Sequence, residues 1–114
     1  TVAPARADPA TLDGTWAGGG TVTLSSGAKE QARCRATFRR QTANAFTMSA
    51  VCATASARVT QSGELIRAGA NRFTGDFSNQ EYGVSGQVSI TVDGRAMTAI
   101  MRGGGGSARL SLNR

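Results

Sequence analysis

Gln31-Ala32-Arg33-Cys34-Arg35-Ala36-Thr37-Phe38-Arg39 and, one turn later, Ala45-Phe46-Thr47-Met48-Ser49-Ala50-Val51-Cys52-Ala53-Thr54-Ala55 decide the fold of this chain. In the first stretch Ala32, Cys34, Ala36 and Phe38 fall on one face of an extended chain, with Gln31, Arg33, Arg35, Thr37 and Arg39 on the other. In the second, Phe46, Met48, Ala50 and Cys52 share a face. If the two form a hairpin turning near Thr42 to Asn44, antiparallel pairing keeps the sum of paired residue numbers constant. Placing Cys34 opposite Cys52 then sets Ala36 opposite Ala50 and Phe38 opposite Met48, so every inward residue meets an inward partner.

That register makes a Cys34–Cys52 disulfide the expected state of the two cysteines. Two buried thiols or a pair of metal ligands are the alternatives. A zinc site is disfavoured because the chain has no His and no second cysteine pair. A bridge closing a loop of this size contributes about 3 kcal/mol in the chain-entropy model. It implies an oxidising compartment, periplasmic or secreted.

Outward from this hairpin the alternation continues, and no window carries a helical stripe. Further strands are read at Gly14 to Leu24, Arg58 to Arg67, Arg72 to Phe77, Tyr82 to Val92, Arg95 to Arg102 and Ser107 to Leu112. Asp93-Gly94 is read as a two-residue type I′ turn, which pairs Ile90 with Met97 and Val88 with Ala99. Turn signals at Ser25-Ser26-Gly27, Ala68-Gly69-Ala70-Asn71, Ser78-Asn79-Gln80 and Gly103 to Gly106 separate the other strands. The fold class predicted is all-β, an eight-stranded antiparallel up-and-down β-barrel, because closure removes the unpaired edges of an open sheet. A β-sandwich is the alternative.

The 114 residues suit one domain. Residues 1–12 are read as an extended leader, left by removal of a signal peptide or by trimming of a longer chain, and 13–114 as the barrel. No apolar run approaches the roughly 18 residues a membrane helix needs. Inward positions include Trp16, Gly18, Gly20, Val22, Leu24, Phe38, Phe46, Val59, Leu65, Phe73, Gly75, Phe77, Tyr82, Val84, Gly86, Met101, Ala108 and Leu110. Many are small, so the barrel either flattens around its aromatic residues or keeps a cavity for one apolar guest. Trp16, Phe38, Phe46 and Tyr82 are the candidate contacts for such a guest.

Asp13-Gly14-Thr15-Trp16 resembles the opening Gly-x-Trp of the lipocalin and avidin group of barrels. The resemblance implies a Trp packed across the barrel end beneath an Arg from a late strand, here Arg102 or Arg109. The run Thr15 to Val22, the stretch from Gly27 through Glu30 to Cys34-Arg35-Ala36, and a second Cys one hairpin later are similar to small exported alphaproteobacterial proteins of unknown function. That similarity implies a Gram-negative cell envelope and brings no activity with it.

Net charge is +6, from thirteen basic and seven acidic residues, and twelve of the basic ones are Arg. Such a surface favours anionic neighbours. Outward Arg33, Arg35 and Arg39 form a candidate anion-binding face, with Arg40, Arg58, Arg67 and Arg72 near it, suited to phosphate or carboxylate groups of an envelope polymer. Nucleic acid is not expected as a partner, since the aromatic residues point inward and cannot stack on bases. Without His, the usual base for a Ser or Cys nucleophile is missing. Glu30, Glu64, Asp76 and Glu81 are placed at strand ends or outward, so no carboxylate pair and no catalytic residue is expected. The Gly-rich runs lack a phosphate-loop pattern, and no cofactor or metal is expected.

The chain is therefore read as a non-enzymatic binding protein of the periplasm or exterior, taking an anionic envelope component or a small apolar ligand. A protease inhibitor acting through Thr1 to Ala10, and a structural or assembly role hinted at by outward Ile66 and Ile100, are the other readings. The oligomeric state is not legible from sequence.

Overall fold

A computed structural model describes residues 11–79 and 83–114. Residues 1–10, which make up most of the expected leader, and residues 80–82, which include Tyr82, lie outside the described residues. Eight strands follow in chain order: β1 Gly14–Thr23, β2 Lys29–Arg40, β3 Ala45–Ala53, β4 Arg58–Arg67, β5 Arg72–Asn79, β6 Val84–Asp93, β7 Ala96–Gly103 and β8 Gly106–Asn113. Each pairs antiparallel with its neighbour, and β1 pairs with β8 to close the barrel. A sandwich would leave β1 and β8 unpaired, so the closure decides between the two architectures.

The first hairpin has the register read from its alternation: Cys34 faces Cys52, Ala36 faces Ala50, and Phe38 faces Met48. The two sulfurs are bonded, with the Cα atoms 4.1 Å apart. The β6–β7 hairpin differs from expectation. Ile90 pairs with Ala99, Val88 with Met101 and Val92 with Met97. The turn is Gly94-Arg95, one residue later than read. Gly94 has a φ of 63° and no non-glycine residue among those described is in that region, which is the type II′ pattern of a glycine at the first central position. The pairing thereby slips by two, and a slip of two leaves every side chain on its expected face.

The barrel wall turns sharply at inward glycines. A Cβ on Gly75 would overlap the Glu64 carbonyl oxygen, and one on Gly20 the Arg109 carbonyl oxygen. Only glycine lets adjacent strands approach this closely, and such positions form the corners through which a sheet curls shut.

The polarity of the wall is the reverse of a membrane barrel's, which needs an apolar outer band. Outward positions carry Gln31, Arg33, Arg35, Thr47, Glu64 and Asp76, while most large apolar residues turn inward and Ile66 stands exposed. No helix among the described residues is long and apolar enough to cross a membrane.

The interior is packed unevenly along the barrel. One end holds the β2–β3, β4–β5 and β6–β7 turns, and the large side chains gather there: Trp16, Phe46, Phe73, Leu65, Ile90 and Leu12 are all essentially inaccessible to solvent. Phe46 and Phe73 meet edge to face with centroids 5.4 Å apart, a favoured aromatic geometry. Leu12, assigned to the leader from sequence, is fully buried, and its carbonyl accepts a 2.9 Å hydrogen bond from Trp16 Nε1. This bond satisfies a buried indole donor that would otherwise be costly.

Three guanidinium groups cover this closed end: Arg114 over Trp16 at 4.5 Å, Arg67 over Phe73 at 4.7 Å and Arg40 over Phe46 at 5.9 Å. The arginine above Trp16 is thus Arg114, and neither Arg102 nor Arg109. Arg114 also donates through Nη1 to the Asp13 carbonyl at 3.0 Å, and its backbone pairs with Arg95. Arg40 meets Asp13 at 3.5 Å.

Candidate functional site

At the opposite end the β1–β2 and β3–β4 loops and the β7–β8 turn surround an opening. The inward residues on this side are smaller, because the ends of β1, β3, β4, β7 and β8 supply Val22, Cys52, Val59, Gly103 and Ala108 where the closed end has aromatic rings. Side chains of this size cannot fill an eight-stranded cross-section. A cavity of about 470 Å³ results, its apolar wall formed largely by Val22, Val59, Phe77, Val84, Met101 and Leu110. The volume lies within the range of small-molecule sites.

The cavity floor includes the Cys34–Cys52 bridge. The disulfide thus joins β2 to β3 where the packed half gives way to the hollow one. Leu24 stands at the lip and is 39% exposed, so it is not the core residue expected. A large apolar side chain at a cavity mouth is suited to cover part of a guest.

Several hydroxyl side chains, among them Thr54, Ser56 and Ser107, also line the cavity, and Glu30 and Gln61 add a carboxylate and an amide. Glu30 lies two residues before Ala32 on β2, on the same inward face, and lines the cavity. It was expected at a strand end or facing outward. Ser56 Oγ, on the β3–β4 loop, donates to both carboxylate oxygens, at 2.8 and 3.0 Å. Hydrogen bonding from Thr54 and Ser56 holds the Glu30 carboxyl below the usual carboxylate range, outweighing the opposing effect of desolvation. Deeper in, Gln61 also lines the cavity, and its buried Oε1 has no hydrogen-bond partner. Glu30 is the one ionisable side chain among the described residues lining the cavity, apart from the bonded cysteines.

None of the three described aromatic residues expected to touch a guest lines this cavity. Trp16, Phe38 and Phe46 are packed into the closed half and are not part of the cavity wall; Tyr82 lies outside the described residues. Sorting inward residues by their height along the strands finds the hollow half. Extending the Phe38-Ala36-Cys34-Ala32 alternation one step further finds Glu30.

The Arg face divides. Arg33 and Arg35 project from β2 into an outer groove across β1 to β3, together with Arg58 and above Ala17, Gly19 and Val51. No carboxylate lines this groove among the described residues. Arg39 lies further along β2, opposite Thr47, and does not line it. Arg40 and Arg67 are engaged over aromatic rings at the closed end. Glu64 and Asp76 face each other across β4 and β5, on another part of the wall.

No protein-family model matches the chain, and no curated protein matches it. Solved structures do share its fold. A redesigned β-barrel, mFAP1, bound to DFHBI, superposes with a TM-score of 0.77 at 18% identity, covering 90% of this chain and 94% of that one. Another redesigned barrel, mFAP0, also bound to DFHBI, gives 0.75 at 18% identity over 90% and 98% of the two chains. A fluorescence-activating β-barrel designed de novo gives 0.70 at 12% identity over 90% and 93%. At these identities the likeness concerns the fold.

Proposed function

We propose that this protein is a non-enzymatic binding protein that works outside the reducing cytoplasm and holds a small, largely apolar molecule in the open end of its barrel. The observation carrying this reading is the contrast between the two halves: one packed solid around Trp16, Phe46 and Phe73, the other enclosing about 470 Å³ behind an apolar wall. A sequence selected only for stability gains from filling such a space, since apolar voids cost contacts and burial. The small molecule DFHBI bound by barrels of the same fold is in keeping with this use of the architecture.

The disulfide supports a location outside the cytoplasm, and the similarity to small exported proteins favours the bacterial envelope. The non-enzymatic character rests on the cavity's chemistry. Among the described residues, its lone ionisable side chain has no partner with which to divide acid and base roles.

The test is titration with the uncharged fluorophore N-phenylnaphthylamine. Saturable binding of one molecule per chain is expected, with loss of binding in Ala108→Trp, which places an indole in the cavity. Absence of binding, or equal binding to the Trp variant, overturns the reading.

A second reading concerns the outer groove, where Arg33, Arg35 and Arg58 come together without a carboxylate among the described residues. This arrangement suits phosphate or carboxylate groups of an anionic envelope polymer. Binding to lipopolysaccharide that weakens steeply with salt and disappears in Arg33→Ala/Arg35→Ala supports it; salt-independent binding removes it.

A further inference from the structure

The chain carries a net charge of +6, yet the one charge among the described residues of its cavity is negative. At long range the surface disfavours cations and attracts anions. A carboxylate at the mouth of an apolar cavity in such a protein is therefore a local departure from the general field.

Glu30 is also prepared for the task. Ser56 fixes the carboxylate through its two oxygens, which removes part of the ordering cost that a free side chain meets on binding. An ionised carboxylate has about four lone-pair sites, so the Thr54 and Ser56 donors leave acceptor capacity unused. Hydrogen bonds from Thr54 and Ser56 favour the charged form of Glu30. Further in, Gln61 Oε1 is a second acceptor with no donor of its own. Glu30 and Gln61 Oε1 thus ask the guest for hydrogen-bond donors, while Val59, Phe77 and Met101 ask for an apolar body.

We propose that the cavity selects organic cations: molecules with an apolar aromatic or aliphatic body and one ammonium or amidinium group, the cation seated against Glu30. This rests on the cavity reading given above and adds the class of ligand. The Glu30 contact is a charge-assisted hydrogen bond, stronger than a neutral one. A ligand with a carboxylate at the same position meets like charge and leaves Gln61 Oε1 without a donor, which is how a site rejects as well as selects.

The experiment compares three probes sharing one apolar body: naphthylmethylamine, naphthylmethanol and naphthoate. Each is titrated calorimetrically into the disulfide-bonded chain at neutral pH. The amine is expected to bind about tenfold more tightly than the alcohol, with the carboxylate weakest. In Glu30→Gln the amine should lose this advantage, while the alcohol's affinity stays within about twofold. Equal affinities of amine and alcohol for the native chain, or an amine preference that survives Glu30→Gln, overturn the inference and leave the cavity reading standing. Failure of all three to bind overturns both. The native-chain series needs no variant, so it decides the question even if Glu30→Gln folds poorly.

Discussion

Removing the Cys34–Cys52 bridge tests how the first hairpin is held. The cysteines are 18 residues apart, and closing a loop of that length in the unfolded chain removes entropy worth about 3 kcal/mol in the chain-entropy model. The folded state has little to lose besides this tether. Cys34 and Cys52 are opposite each other in a ladder that continues on both sides, from Arg33–Ala53 to Arg40–Phe46. Reduction, or Cys34→Ala/Cys52→Ala, should therefore leave the barrel folded but less stable by about 3 kcal/mol. For a domain of this size that corresponds to a fall of about 15 °C in Tm. The assay is thermal and urea unfolding followed by near-UV circular dichroism, on oxidised, reduced and doubly substituted protein. A fall below about 4 °C, with both sulfurs verified as bonded beforehand, would refute the loop-entropy reasoning.

Other perturbations read other parts of the structure. Gly75→Ala should destabilise by about 2 kcal/mol or more in urea melts, because its Cβ overlaps the Glu64 carbonyl; Gly69→Ala, where nothing comes closer than 3.7 Å, should be near neutral. Arg114→Ala should lower Tm by about 4–8 °C through loss of the cation–π contact and the Asp13 bond, roughly 1 kcal/mol. The lowered Glu30 pKa means that its interactions with Thr54 and Ser56 stabilise the fold above the unfolded-state carboxylate pKa and fade as pH falls through the lower folded-state value. Unfolding of native and Ser56→Ala chains across that acidic window should therefore show a stability gap that narrows with decreasing pH; a constant gap would contradict it.

Much of the architecture was legible from Gln31 to Ala55. Alternation and the cysteine positions constrain the same register independently, and a one-residue error would have turned Phe38 and Met48 to water. The β6–β7 pairing was less secure because Asp93-Gly94 and Gly94-Arg95 are both acceptable two-residue turns. They differ by two in register and present the same faces, so burial could not choose between them. Leu12 was missed because it follows the Pro-containing leader and precedes the first alternating run. Its burial depends on Trp16 reaching back across the barrel end, a contact no local pattern encodes.

The site was harder to read than the fold. Inwardness distinguishes core from surface, and it does not distinguish a packed half from a hollow one. Trp16, Phe38 and Phe46 were natural candidates as ligand contacts because they are large and inward. Their size is what closes the end they occupy, while Val22, Val59 and Ala108 leave space at the other. Glu30 reads as a strand-end carboxylate, although its parity with Ala32 and Cys34 puts it on the inward face at the cavity mouth.

Methyl-resolved NMR during titration with naphthylmethanol tests the central claim most directly. Shifts confined to Val22, Val59, Val84, Met101 and Leu110, with Leu12, Leu65, Ile90 and Leu112 unmoved, are the result this account requires. Shifts at the closed end or along the outer wall, with the cavity methyls still, would contradict it.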